Sequence, residues 1–305
     1  MNNKLLVLGT IAYDSIESPS GMAKKILGGC ATYIGLSASK FKTSCCLVSI
    51  VGEDFKNSHV KLLESNGLDT SGVDFIPNEK TFFWSGRYLD NLNDRITLDT
   101  QLNVLTKFKP VVPIKFLDAS IVLLGNLDPN RQLDVLNQMK NPKFVIMDTM
   151  NFWIEGYRKK LDEIISKVDL ISVNDEEAKQ LTNSQSTIDS AYKLQAMGPK
   201  NVIIKKGEHG AILFCDKKIF QVPAFPIKKI FDPTGAGDSF IGGFAGSLSE
   251  KKQVSFQAMK TAAVIGSAIA SFTVQQFGTK ELENLTRLKL NKRIKEFKSL
   301  TDFEI

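Results

Sequence analysis

Short apolar runs alternate with stretches of helical period along most of this chain, and that alternation limits the folds open to it more than any other feature. Lys4 to Gly9, Cys45 to Val51, Ser120 to Leu124, Phe144 to Met147, Leu170 to Val173 and Val202 to Lys205 are largely apolar runs. Strands buried on both faces read this way. Between them apolar residues fall at helical intervals, as at Ala31, Ile34, Ala38 and Phe41. Helices are expected over Cys30 to Phe41, 53–65, Pro129 to Met139, Phe152 to Ile165, from near Asp175, and over Ala236 to Leu248, Gln253 to Phe272 and Lys280 to Phe297. Ala211 to Cys215 and Lys218 to Val222 read as a hairpin. Parallel strands cannot be joined by a tight turn, so repeated strand-helix units predict an α/β fold with a mostly parallel sheet and helices on both faces. Ligands of such sheets bind beyond the carboxyl ends of the strands.

One region interrupts the alternation. Thr81 to Leu89 is rich in aromatic and β-forming residues, and Arg95 to Leu105 alternates through Ile96, Leu98, Thr100 and Leu102. Both read as antiparallel strands with one solvated face. Residues 10–28 are also extended and end in Gly28-Gly29. With no linker, repeat or low-complexity tract, the 305 residues read as one domain.

Composition excludes several classes. An apolar share of 43% with 24% charged residues is ordinary for a folded chain and argues against disorder. Lys and Arg number 39 against 33 acids, but they are spread along the chain. Nucleic acid is therefore not expected as a partner, and a small anionic ligand accounts for the surplus equally well. No apolar run approaches the roughly 20 residues that span a bilayer, and the N-terminus lacks a signal pattern. A soluble, cytoplasmic protein is expected. Cys30, Cys45, Cys46 and Cys215 form no C-x-x-C pair, and Cys45-Cys46 reads as two buried thiols on opposite faces of a strand. His59 and His209 are the only histidines, which rules out a multi-histidine metal site.

The chemistry is concentrated in Phe231 to Gly246, FDPTGAGDSFIGGFAG. Gly235, Ala236 and Gly237 carry almost no side chain, so their backbone N–H groups can approach a ligand. Phe240, Ile241, Phe244 and Ala245 open a helix at once, and the N–H groups at a helix start form an anion site. Asp238 then sits in the first turn beside the anion. The helix field favours its carboxylate, so Asp238 is expected to be a weak base. Phosphoryl transfer suits such a base, because its transition state is loose and the N–H groups stabilise the transferring charge. No P-loop pattern occurs.

The string DPTGAGDSFIGGF resembles the C-terminal signature of the ribokinase-like (PfkB) carbohydrate kinases, D-x-T-G-A-G-D-x-F. The resemblance covers roughly residues 3–298. It implies a three-layer ribokinase-like core with a small β-sheet lid, formed by segments about 10–28 and 81–106. Such lids exclude water and often mediate homodimers. It also implies an ATP- and Mg²⁺-dependent kinase with Asp238 as base and Gly235 to Gly237 as anion hole. Gly28-Gly29 match the family's N-terminal glycine pair, and Asp14 matches its sugar-binding acid. Tyr33 stands where many sugar kinases carry an Asn that touches the sugar. Asn174 and Glu177 match N-x-x-E, which organises Mg²⁺ and its waters. Read alone, the pair is a capping box. Lys205 to Gly210 resembles the nucleotide-contacting T-x-G-x-x-G, with Gly207 and Gly210 kept and Lys205 replacing Thr. Lys205 would then meet ATP phosphates or point to solvent. Asp232 and Thr234 lie where members hold a monovalent cation such as K⁺. Val264, Gly266, Ser267 and the loop through Phe277-Gly278 are adenine candidates, against plain helix packing.

The acceptor is less defined. The family's D-x-N-x-R is reduced to Asp148 and a displaced Asn151, while Asn126 closes the preceding strand. Trp84, Arg87 and Tyr88 face an acceptor or a partner lid. Tyr33, Trp84, Phe152 and Trp153 leave room for a base to stack. The first reading is a kinase of a primary hydroxyl on a small sugar-like molecule. The alternatives are a nucleoside kinase of the same family and a catalytically silent nucleotide-binding regulator.

Overall fold

The computed structural model describes residues 2–302. Its strands are β1 (Lys4–Leu8), β2 (Ala12–Ser18), β3 (Gly21–Gly28), β4 (Ser44–Gly52), β5 (Leu68–Ile76), β6 (Phe83–Tyr88), β7 (Arg95–Gln101), β8 (Ile121–Leu124), β9 (Phe144–Asp148), β10 (Leu170–Asn174), β11 (Asn201–Lys205), β12 (Ala211–Cys215) and β13 (Lys218–Val222). The helices are α1 (Cys30–Ala38), α2 (Asn57–Ser65), α3 (Pro129–Gln138), α4 (Asn151–Gly156), α5 (Arg158–Ile165), α6 (Asp175–Thr182), α7 (Thr187–Ala196), α8 (Ala236–Ser249), α9 (Phe256–Thr273), α10 (Lys280–Glu283) and α11 (Arg287–Thr301).

Nine strands form one sheet in the order β13-β12-β11-β10-β9-β8-β1-β4-β5. It is parallel from β11 to β5, and the hairpin β12-β13 closes it antiparallel. Strand order reverses at β1, with β4 on one side and β8 on the other. Alternate side chains divide the core. Leu5, Val7, Cys45 and Leu47 pack with α1, α8 and α9, while Leu6, Leu8, Cys46 and Val48 pack with α3, α5, α6 and α7. Cys45 and Cys46 thus face opposite layers, as their adjacency predicts. No helix among the described residues is long and apolar enough to cross a membrane.

A second sheet has the order β3-β2-β6-β7. Its outer pairs are antiparallel, but β2 and β6 run parallel. That corrects the all-antiparallel expectation: the two strands are joined through the large sheet rather than by a turn, so no hairpin fixes their direction. Strand β5 and helix α7 were not foreseen. The strand's sequence, LDTSGVDFI, mixes polar residues and Gly and shows no clear period. The helix predicted over 152–165 breaks at Tyr157, and the one over 280–297 breaks at Asn284, where the backbone leaves helical geometry.

Candidate active site

One backbone position sets the glycine-rich turn at the start of α8. Gly235 caps α8 with φ +74, and a Cβ there would lie 2.4 Å from the Tyr33 ring. Glycine is required both by the left-handed conformation and by the ring beneath it. Ala236 donates its N–H back to the Pro233 carbonyl at 3.1 Å, which removes it from the expected anion hole. Helix geometry leaves the N–H groups of Gly237 and Asp238 without an intrahelical acceptor.

Asp238 is half-buried in the cleft at this turn. Burial foremost, then the charge of Asp148, pushes its carboxyl up to about 7, against Lys205 and Arg95. The weak base expected from the helix field is thus corrected: lost hydration outweighs the dipole. Lys205 does not point to solvent. Its ammonium lies 3.2 Å from the place of a Gly237 Cβ and pairs with Asp148 at 2.6 Å, with side chains 17% and 6% exposed. Burial disfavours this charge, but Asp148 and Glu177 outweigh it and hold Lys205 above its ordinary range.

Asn174 and Glu177 form the reciprocal capping box of α6. Asn174 Oδ1 accepts from the Glu177 N–H and Glu177 Oε2 accepts from the Asn174 N–H, each at 2.8 Å. Glu177 is buried, and burial foremost raises it to about 7, with Asp148 adding and Lys205 opposing. The ends of β9 and β11 and the first turn of α6 therefore bring Asp148, Lys205 and Glu177 to the foot of α8. Among the described residues no three His, Cys, Asp or Glu are grouped to hold a metal directly.

The opposite wall comes from the small sheet and α1. Asp14 is buried, and a Cβ on Gly28 would fall 1.9 Å from its Oδ2, so only glycine leaves that carboxylate its space. The Gly29 N–H donates to Asp14. Burial, then Asp232 and Asp238, raise Asp14 to about 7. Tyr88 on β6 accepts from Thr234 Oγ1 at 3.1 Å. Arg95 on β7 is paired with Tyr88 across the strands, and its charge acts on Asp238 and Glu177. Arg87 lies on the other face of β6 and bonds Glu17 at 2.6 Å. The structure therefore brings Arg95 to the site in place of Arg87.

Several expected contacts are buried or bonded within the protein. Tyr33 is 1% exposed, packed beneath Gly235, and its hydroxyl has no partner. Asn126 Oδ1 accepts from Trp153 Nε1 at 2.9 Å, and its Nδ2 contacts Met150 Sδ. Asp232 is a loop tie, because its two oxygens accept from the Thr234 N–H at 2.8 Å and the Gly278 N–H at 3.0 Å. Gly278 gives its N–H to this tie.

A cavity of about 700 Å³ opens from Gly237 and Lys205. Its walls are Phe225, Pro226 and Ile227 on one side and Ser267, Ala270 and Val274 on the other, with Gly207, Gly210 and Asn91 to Asn93 at the rim. Ser267 also donates to the Pro223 carbonyl at 2.8 Å. Val264, Gly266 and Phe277 do not line it; a Cβ on Gly266 would lie 2.5 Å from the Phe240 carbonyl, the mark of close helix packing. The wall at 225–227 was missed, although Pro223 and Pro226 around apolar residues signalled an ordered loop.

The pattern of pfkB family carbohydrate kinases matches residues 4–286. The chain belongs to that family. Among its pfkB relatives, a protein named cytidine kinase from Thermococcus kodakarensis is 33% identical over 80% of this chain and 88% of its own length. One named nucleoside kinase from Methanocaldococcus jannaschii is 27% identical over 87% of this chain and 83% of its own. The crystal structure of the Methanocaldococcus jannaschii nucleoside kinase, an archaeal member of the ribokinase family, superposes with a TM-score of 0.77 at 23% identity, covering 96% of this chain and 98% of that one. A nucleoside kinase of Burkholderia thailandensis in complex with inosine gives 0.78 at 20% identity, covering 99% and 100%. These likenesses establish the ribokinase fold of the pfkB chain.

Proposed function

We propose that the protein is an ATP-dependent nucleoside kinase, transferring the γ-phosphoryl group of ATP to a primary hydroxyl of the nucleoside's sugar. The observation that carries the reading is the meeting of Asp14 and Asp238 at one cleft, each raised to about 7, beside a cavity that ends at Gly237 and Lys205. The relatives named for cytidine and nucleosides favour this acceptor over the free sugar that the sequence put first.

The acceptor oxygen bonds to the γ-phosphorus as the bond to the β–γ bridging oxygen breaks. ADP leaves, and the hydroxyl proton passes to the Asp238 carboxylate. A base near 7 is about half ionised at neutral pH, where general-base catalysis works best. Lys205, Arg95 and the N–H groups of Gly237 and Asp238 offset charge on the transferring group. Asp14 orients the sugar by accepting from its hydroxyls. Gly207, Gly210 and Ser267 line the nucleotide cavity. Mg²⁺ bound to ATP would neutralise further phosphate charge. Glu177 fits it through water: only Oε2 is spent on the cap, and Mg²⁺ keeps several waters. The four-stranded sheet acts as a lid on a single kinase domain.

The test is ADP release from Mg·ATP with cytidine, adenosine, inosine, D-ribose and myo-inositol as acceptors. At least one nucleoside should stimulate release about a hundredfold over the no-acceptor rate. Stimulation by free sugars alone would replace this acceptor with the first reading. No stimulation, with ATP bound, would leave a nucleotide-binding regulator.

A further inference from the structure

The acceptor end of the cleft holds a large side chain that neither the phosphate chemistry nor the core uses. Trp84 lies on β6 in register with Asp14 on β2. In-register neighbours point the same way, and residues two apart on a strand share a face. Trp84, Gly86 and Tyr88 therefore stand on the face that carries Asp14. That face looks onto the cleft, since Tyr88 bonds Thr234 and Asp14 packs against Gly28.

Gly86 explains how the indole lies there. A Cβ on Gly86 would be 2.2 Å from the Trp84 ring, so the glycine lets the ring lie down along the strand. The indole N–H is directed at Thr97 Oγ1 on β7, 3.4 Å away. Trp84 is half-buried and pairs with no other ring among the described residues. A flat aromatic face is thus held beside the acid that would orient the sugar, on the face that also carries Arg95.

We propose that Trp84 selects a nucleoside over a free sugar by stacking its indole on the base. The proposal rests on the nucleoside-kinase reading. Every base has a π-face and a free sugar has none, so such a platform admits purines and pyrimidines alike and discriminates against the unsubstituted sugar. With its N–H directed at Thr97, the ring offers a face and no base-edge donor.

The chain has two tryptophans, so a Trp153→Phe background leaves Trp84 as the sole indole emitter. Titrated without ATP, its emission should change saturably with cytidine and adenosine and stay constant with D-ribose. In the native chain, Trp84→Ala should raise the nucleoside KM about tenfold to a hundredfold, while Trp84→Phe recovers most of the loss. The KM for ATP, and kcat at saturating nucleoside, should stay within about threefold, a split that a merely structural role would not give. Nucleosides that are phosphorylated without perturbing Trp84 emission, or a nucleoside KM within about twofold in Trp84→Ala, would overturn the proposal and leave the kinase reading standing. A native enzyme that phosphorylates free sugars and no nucleoside would remove both. Should Trp84→Ala not fold, Trp84→Phe and the emission titration decide.

Discussion

The parallel sheet presents Asp148, Asn174 and Lys205 at the ends of three adjacent strands whose other residues are buried, and α8 adds Asp238 from a helix that is buried over most of its length. The four-stranded sheet presents Asp14, Trp84, Tyr88 and Arg95, and its outer strand β7 is exposed at every residue. The groups assigned to phosphate chemistry stand on backbone fixed by two packed layers. The groups assigned to the acceptor stand on an element with one layer behind it. Geometry needed within fractions of an ångström belongs on the first kind of support, and parts that must admit and cover a substrate belong on the second.

The contrast can be broken most severely at its junction. Gly235→Val places a branched side chain in a left-handed conformation against the Tyr33 ring. It should abolish turnover and weaken ATP binding together, as seen by ADP release and calorimetry. A variant that still binds ATP normally would separate the turn from the nucleotide. Arg95→Gln should lower kcat by about a hundredfold, in the range for losing one donor to a transition-state charge. Arg87→Gln, on the other face of the same sheet, should stay within about twofold, since exposed pairs contribute little. Equal losses in the two would erase the distinction between the faces.

Asp148→Asn tests the core side more gently. The negative charge of Asp148 helps to raise Asp238, so its removal should move the acid limb of the kcat/KM pH profile down. The wild-type limb should lie near 7. Stability should carry the same signature. Asp14, Glu177 and Asp238 hold protons up to about 7, whereas the unfolded chain releases them near its ordinary values of 3.8 and 4.5. The folded state binds more protons between those limits, so stability falls as pH rises from about 4 to about 7 and then levels. Urea midpoints at pH 5 and 8 check the sign; a higher midpoint at pH 8 would contradict it.

What could be read from the sequence follows the same division. The DPTGAGD turn, the N-x-x-E cap and the apolar strands are encoded in consecutive residues, so local pattern finds them. The opposite placement of Cys45 and Cys46 follows from adjacency alone. Arg95 could not be preferred to Arg87 without the register of β6 on β2, which joins strands far apart in the chain. Tyr33 reads as an acceptor contact by position, yet its ring packs beneath Gly235 and floors the glycine-rich turn. Lys205 could not be turned inward without knowing that Asp148 ends a strand two places away in the sheet.

Asp238→Asn tests the central claim most directly, with ADP release and ATP affinity measured on the same preparation at pH 7.5. The account predicts a fall in turnover of at least about a thousandfold with ATP affinity within about threefold of wild type. Turnover within about tenfold of wild type would contradict Asp238 as the base.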